Sequence, residues 1–184
     1  MTAIASKSQL RMSLLRYALV TVPLILLLGT LSGRASNSGY SNPWFASLVK
    51  PAAMPPSWAF PAAWTILYVF LGAALAIVLH ARGARGRGLA VGVFVAQLLL
   101  NYAWSPVFFA MHQTRIALAL IVAMLVLAVV TAVLFARIRR AAGLLMIPYI
   151  AWLAFAGYLN YRIIALNPAA ETLVPGESSA DIPL

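Results

Sequence analysis

The sequence predicts an all-α integral membrane protein, a five-transmembrane-helix bundle, and three observations predict it. Of 184 residues, 64% are hydrophobic and 9% are charged, with a mean hydropathy of +0.94; an average soluble domain is roughly half apolar and a quarter charged. Five apolar runs can be counted, each long enough at about 1.5 Å per residue to cross a hydrocarbon core about 30 Å thick. The formal charge of +10 is carried by cations in short tracts between those runs. That is a topology signal, and it points away from nucleic acid as a partner and toward the lipid bilayer.

The elements follow in order. Residues 1–16 read as a basic N-terminal tail carrying Lys7, Arg11 and Arg16, and residues 17–166 as the membrane domain. The first run, from about Tyr17 to Leu31, is read as helix one, with Pro23 as a local kink that neighbouring helices accommodate. A basic flank, a short apolar core and small residues after it would also suit a signal peptide. Residues 32–57 form the one long connection, rich in Gly, Ser, Asn and Pro, with Trp44, Phe45 and Lys50-Pro51-Ala52 in it. Loops beyond about 15 residues are usually functional or disordered, and the aromatics argue for order. The second helix runs from about Trp58 to His80, the third from Gly88 to Ala110, the fourth from Arg115 to Ala136 and the fifth from Gly143 to Ala165. Pro106 is expected to break or kink the third near its end. Short connections predict that consecutive helices are antiparallel neighbours. Residues 167–184 are polar, acidic and proline-bearing, the composition of a disordered tail.

Nine of the thirteen Lys and Arg residues fall on the side of the N-terminal tail; Arg34, Lys50, Arg115 and Arg162 fall on the other. The bias predicts a cytoplasmic N-terminus, with the long loop and the C-terminal tail outside; the membrane expected is a bacterial inner membrane. The tract "GARGRG" lacks both the order of a dinucleotide fingerprint and a preceding strand.

Several chemistries lack parts. There is no cysteine, which removes disulfides, thiolate metal sites and cysteine nucleophiles. Glu171, Glu177 and Asp181, the three acids, all lie in the last fourteen residues, so the apolar body holds no carboxylate pair for acid–base work. His80 and His112 sit near predicted helix ends, where capping or interfacial roles suit them better than metal ligation.

Spacing picks out three stripes. Gln97, Asn101 and Trp104 stand at i, i+4 and i+7 of the third helix; Pro61, Trp64, Thr65 and Tyr68 share a face of the second; Tyr149, Trp152, Ala156 and Asn160 share one of the fifth. A carboxamide without partners is costly in hydrocarbon, so these faces turn to the bundle interior or to a cavity. Each residue taken alone reads as interhelical hydrogen bonding or packing. Together, rigid aromatics with a few amides and no charge are what a flat, mostly apolar ligand needs. Gly88, Gly92 and Ala96 form a small-residue stripe on the third helix, which suits either close packing within the monomer or, the reading preferred here, a homodimer interface.

The motifs "WFASLVKP", "PPSWAFPAAWTILY", "LNYAWSPVFF" and "PYIAWLAFAGYLN" occur in this order between Trp44 and Asn160. With them the chain resembles the TspO/MBR family, the tryptophan-rich sensory and translocator proteins. The resemblance implies a five-helix bundle, which supports reading the first run as a helix. It implies a site for tetrapyrroles such as protoporphyrin IX or haem, bound as ligand rather than as obligatory cofactor, with sterol-like ligands in some members. Carried over by motif, Trp64, Tyr68, Asn101, Trp104, Trp152 and Ala156 are the expected pocket residues, under a loop lid of Trp44, Lys50, Pro51, Pro55 and Pro56. A sterol-recognition pattern fits as Leu153, Tyr158 and Arg162. Where the family commonly carries bulky aromatics, this chain has Ala52, Ala53 and Met54, so the lid is expected to have lost ring surface. The resemblance implies a ligand-binding sensor, regulator or transporter. Two alternatives are a subunit docking into a larger pigment-protein membrane complex and a protein of light-dependent porphyrin breakdown.

Overall fold

A computed structural model describes residues 7–173. The outer parts of both expected tails, 1–6 and 174–184, with Glu177 and Asp181, lie outside the described residues. Among the described residues five helices are long and apolar enough to cross a membrane; the chain is a multi-pass membrane protein, and its regular structure over those residues is all helical.

Helix α1 spans Lys7–Ala35, so much of the expected basic tail is helical and continuous with the first span. A short α2, Pro43–Ser47, lies within the long loop. Its start is dictated locally, because Pro43 supplies a helical φ at the first turn while the Asn42 side chain accepts the Phe45 N–H at 3.0 Å. The remaining spans are α3, Ala59–His80; α4, Arg87–Ser105; and α5, Thr114–Ile138. The fifth span is divided at Met146 into α6, Arg140–Leu145, and α7, Ile147–Leu166. Pro148, in the first turn of α7, has no N–H to bond the carbonyl four residues back, which accounts for the break.

Pro106 has the expected effect at the end of α4. Residues Pro106–Ala110 form a π-helical turn, with the Met111 N–H reaching back to the Pro106 carbonyl at 2.9 Å. The Tyr102 carbonyl, which Pro106 cannot bond, accepts instead the Ser32 hydroxyl of α1.

The spans close a ring in which α1 packs on α3 and α4, α4 on α5, α5 on α6 and α7, and α6 with α7 on α3. The expected antiparallel pairing of consecutive helices fails at one step: α3 and α4 barely touch, because α1 lies against both. The connection across 81–86 steps around α1 through two glycines with left-handed φ, Gly83 at 77° and Gly86 at 75°. Close helix approach fixes the α1–α3 pair. A Cβ at Gly72 would stand 2.6 Å from the Val22 Cα, and the Thr21 hydroxyl donates to the Gly72 carbonyl at 2.7 Å.

The end of the bundle bearing Arg82, Arg137, Arg139 and Arg140 is a solid core, with Phe94 stacked on Phe135 at 5.4 Å between centroids and with Leu71, Val78, Ala142 and Met146 buried around them. The opposite end, under the long loop, is where the helices part. Outward faces carry exposed Leu19, Leu89 and Leu99; in a bilayer these meet acyl chains, and the bundle is held by packing and interhelical hydrogen bonds.

Two expectations need correction. The tail does not become disordered at residue 167. Asn167 and Ala170 are buried, Ala170–Thr172 form a 3-10 turn, and the segment straps the long loop down. Its polarity is used in specific contacts. Asn167 accepts the Val49 N–H at 2.8 Å and donates to the Val49 carbonyl at 2.9 Å, and Trp44 donates its indole N–H to the Ala170 carbonyl at 2.8 Å. The three residues of the sterol pattern also do not share one face: Leu153 is 1% exposed and faces inward, whereas Tyr158 and Arg162 face outward.

Candidate ligand-binding cavity

A cavity of about 860 Å³ opens between α1, α3, α4 and α7 beneath the long loop. Its walls carry most of the three stripes. Trp64, Tyr68, Asn101, Trp104, Trp152 and Ala156 all line it, so the structure brings together in one space the six residues singled out as pocket positions. Pro61, Thr65 and Asn160 line it as well.

The aromatic walls are mutually braced. Trp64 lies 5.3 Å from Tyr68 and meets Trp152 edge-on at 6.5 Å, while Trp104 is stacked on Phe108 at 5.0 Å. Rings held by other rings lose little freedom when a ligand arrives, which favours binding. Glycine at position 29 of α1 makes room for this arrangement, since the Tyr68 ring occupies the place where a side chain would begin.

Behind the walls runs a buried hydrogen-bond chain. The Tyr68 hydroxyl donates to the Asn101 carbonyl oxygen at 3.0 Å, the Asn101 amide donates to the Tyr149 oxygen at 3.3 Å, and the Tyr149 hydroxyl donates to the Gln97 oxygen at 2.7 Å. Gln97 and Tyr149 are each 0% exposed. They do not line the cavity; their part is to hold Asn101 and Tyr68, which do. On two lining residues a buried polar atom is left over, the Trp104 indole Nε1 and the Asn160 Oδ1. Buried groups of this kind are costly without a partner, and both stand on residues of the cavity wall.

The lid differs in composition from its expected membership. Tyr40, Phe45, Met54 and Phe60 face the cavity, and none of Trp44, Lys50, Pro51, Pro55 and Pro56 lines it. Trp44, Lys50, Pro51 and Pro55 support the lid from behind, while Pro56 is exposed. Trp44 is fully buried and stacks on His112 at 4.4 Å. Lys50 gives its ammonium to the carbonyls of Phe45, Ala46 and Leu48 at 2.8, 3.1 and 3.0 Å and stands 4.9 Å from the Phe45 ring; burial among them lowers its pKa. Pro51 is buried, and the Pro55 carbonyl accepts the Tyr40 hydroxyl at 2.6 Å. Ala52 and Ala53 are exposed, but Met54 fills part of the gap and Phe60 supplies a ring 6.1 Å from Trp152. Phe60 and Tyr40 were missed by the stripe reading. Phe60 stands at i−4 from Trp64, a spacing that would have found it.

The loop and strap are clamped to α5. Gln113 gives α5 no side-chain cap, and Glu171 takes that role, accepting the Arg115 N–H at 2.9 Å and the Thr114 hydroxyl at 3.0 Å. These bonds, with that from the Arg115 N–H the strongest influence, hold the Glu171 carboxyl below its ordinary pKa.

The family profile of TspO/MBR matches residues 20–166 of this chain. The chain belongs to the TspO/MBR family. The tryptophan-rich protein TspO of Chlorobaculum tepidum is 44% identical over 127 residues, covering 68% of this chain and 80% of the relative. The translocator protein of Bos taurus is 36% identical over 138 residues, covering 74% of this chain and 82% of its own. Protein CrtK of Rhodobacter capsulatus is 32% identical over 131 residues, 71% of this chain and 82% of that protein.

Gly88, Gly92 and Ala96 lie on an outward face of α4, all three exposed. A Cβ added at Gly88 or Gly92 would meet nothing within 4 Å, so neither glycine is explained by packing inside this bundle.

Proposed function

We propose that this TspO/MBR protein binds a flat, largely apolar ligand of the tetrapyrrole type within the membrane and acts as a sensor, regulator or transporter of it. The observation that carries this reading is the cavity itself. Its volume of about 860 Å³ falls within the usual range of small-molecule sites, about 300–1,000 Å³. Trp64, Trp104 and Trp152 line it as apolar ring surface, and Tyr68 and Asn101 line it as polar side chains. Names among the relatives, a translocator protein and a tryptophan-rich sensory protein, support a ligand-handling role.

Titration of the purified protein with protoporphyrin IX, followed by tryptophan fluorescence, tests the reading. Saturable quenching that competes with haem is expected. Non-saturable quenching, equal to that of free tryptophan in the same detergent, would overturn it.

The same reading places the N-terminus in the cytoplasm of a bacterial cell, supported by Arg82, Arg85, Arg87, Arg137, Arg139 and Arg140 gathering at the α1 N-terminal end of the bundle. It also makes the protein a homodimer through Gly88, Gly92 and Ala96, supported by the openness of that face.

A further inference from the structure

We propose that Arg34 selects for ligands bearing a carboxylate, which it holds at the mouth of the cavity while the apolar body lies among the tryptophans. The inference rests on the cavity being a ligand site, and not on the ligand being a tetrapyrrole.

Arg34 stands in the last turn of α1, exposed, and lines the cavity where α1 gives way to the long loop. Beside it the mouth carries Asn37, Ser38 and Ser41, which are polar and uncharged. Three other cations share this end of the bundle, and each is accounted for elsewhere. Lys50 is occupied by three carbonyls. Arg115 stands 4.0 Å from Glu171. Arg162 is exposed on α7, outside the cavity lining. Arg34 is the one charged side chain lining the cavity among the described residues.

Among the described residues its charge is also uncompensated. Glu171 is the sole acid among the described residues, and it is engaged at the start of α5. A cation at a helix C-terminus favours the helix dipole, and an arginine near a membrane interface can snorkel. Either role would be met with the side chain on any side of α1; neither requires it at the rim of a cavity. Deeper in, the lining offers hydroxyls, carboxamides and rings but no charge, so a carboxylate is tolerated only at the rim. The ligand class that fits is therefore amphiphilic, with an apolar body and a carboxylate at one edge. Guanidinium groups match carboxylates with paired N–H donors.

Such a carboxylate could belong to a porphyrin side chain or to a long-chain fatty acid, and the test separates the two. Full-length protein in nanodiscs of zwitterionic lipid is titrated with two matched pairs, protoporphyrin IX against its dimethyl ester and a fluorescent fatty acid against its methyl ester. Partitioning into empty nanodiscs is subtracted. The expected result is that at least one acid binds about five-fold tighter than its ester, the order for a partly exposed ion pair, with the gap narrowing at high salt. Arg34→Gln brings the ratio to about one without weakening the ester, and Arg34→Lys keeps most of it. Equal affinity of acid and ester in the wild type, or a ratio that survives Arg34→Gln, overturns the inference. If only the fatty-acid pair binds and responds to Arg34, the tetrapyrrole reading falls and the role of Arg34 stands. If neither pair binds, both fall.

Discussion

The indole of Trp152 meets that of Trp64 edge-on, with centroids 6.5 Å apart and planes at 83°, so that helices α7 and α3 present two rings at right angles to one cavity. Trp152 is also packed against Phe60 and Phe155, which fixes its ring before any ligand arrives. Buried aromatic anchors of this kind commonly contribute about 2 kcal/mol or more to binding. Trp152→Ala is expected to weaken protoporphyrin IX by about thirty-fold or more, with the helical circular dichroism unchanged. Binding within two-fold of wild type would remove Trp152 from the site.

Tyr149→Phe removes one hydroxyl and leaves the Gln97 oxygen and the Asn101 amide without their shared partner. Interhelical hydrogen bonds in membranes are worth about 0.6 kcal/mol on average and up to about 1.7. A fully buried bond with an orphaned partner should lie toward the upper figure. Thermal unfolding in detergent should show a Tm lower by a few degrees; an unchanged Tm would mean that the chain of bonds contributes nothing to stability.

Glu171 makes the C-terminal strap sensitive to acid. Its folded pKa is depressed, chiefly by the Arg115 N–H bond, so its stabilising contribution is complete above the unfolded value of 4.5. It is lost as pH falls through the lower folded pKa. Trp44, bonded to Ala170, reports on the strap. Acidification from about pH 6 to about pH 3 should raise the rate of proteolysis between Leu166 and Leu173, whereas Glu171→Gln should be cleaved faster at neutral pH and show little further change. A variant as protected as wild type at neutral pH would contradict the clamp.

Two glycines make a paired test of the interfaces. Gly72→Ala places a methyl against the Val22 backbone, and overpacking of this sort costs about 1–3 kcal/mol, read as a lower Tm. Gly92→Ile meets nothing inside the bundle, so the Tm of the monomer should hold while the proposed homodimer, assayed by crosslinking in nanodiscs, should be lost. A dimer that persists in Gly92→Ile would exclude this face as the interface.

How much of this was legible in the sequence varies by residue. The five spans were, because hydropathy over about 20 residues reports the solvent that a helix meets. The stripes were, because carboxamides at i and i+4 in an apolar run have only the interior to face; Asn101, Trp104 and Trp152 were found that way. The Pro106 break was legible, but its repair by Ser32 was not, since that bond joins helices 70 residues apart in the chain. The same holds for the strap. Asn167 and Glu171 look like tail polarity until Val49 and Arg115 stand beside them. The lid was misjudged for a related reason. Trp44 was expected over the cavity and is buried beneath the loop instead, because Ala170 and His112 offer its ring a closer fit. The loose contact between α3 and α4 was likewise beyond a reading that paired helices by loop length.

The central claim is that the space between the tryptophans is where the ligand sits. Ala156 lines that space on α7 and is partly buried, so Ala156→Trp projects a bulky indole into it without adding charge or removing a wall. The decisive measurement is the protoporphyrin IX binding isotherm of Ala156→Trp against wild type, in nanodiscs, with helical content and Tm recorded on the same samples. The account predicts a folded variant with wild-type helicity and no saturable binding. A folded variant that binds protoporphyrin IX as tightly as wild type would contradict it.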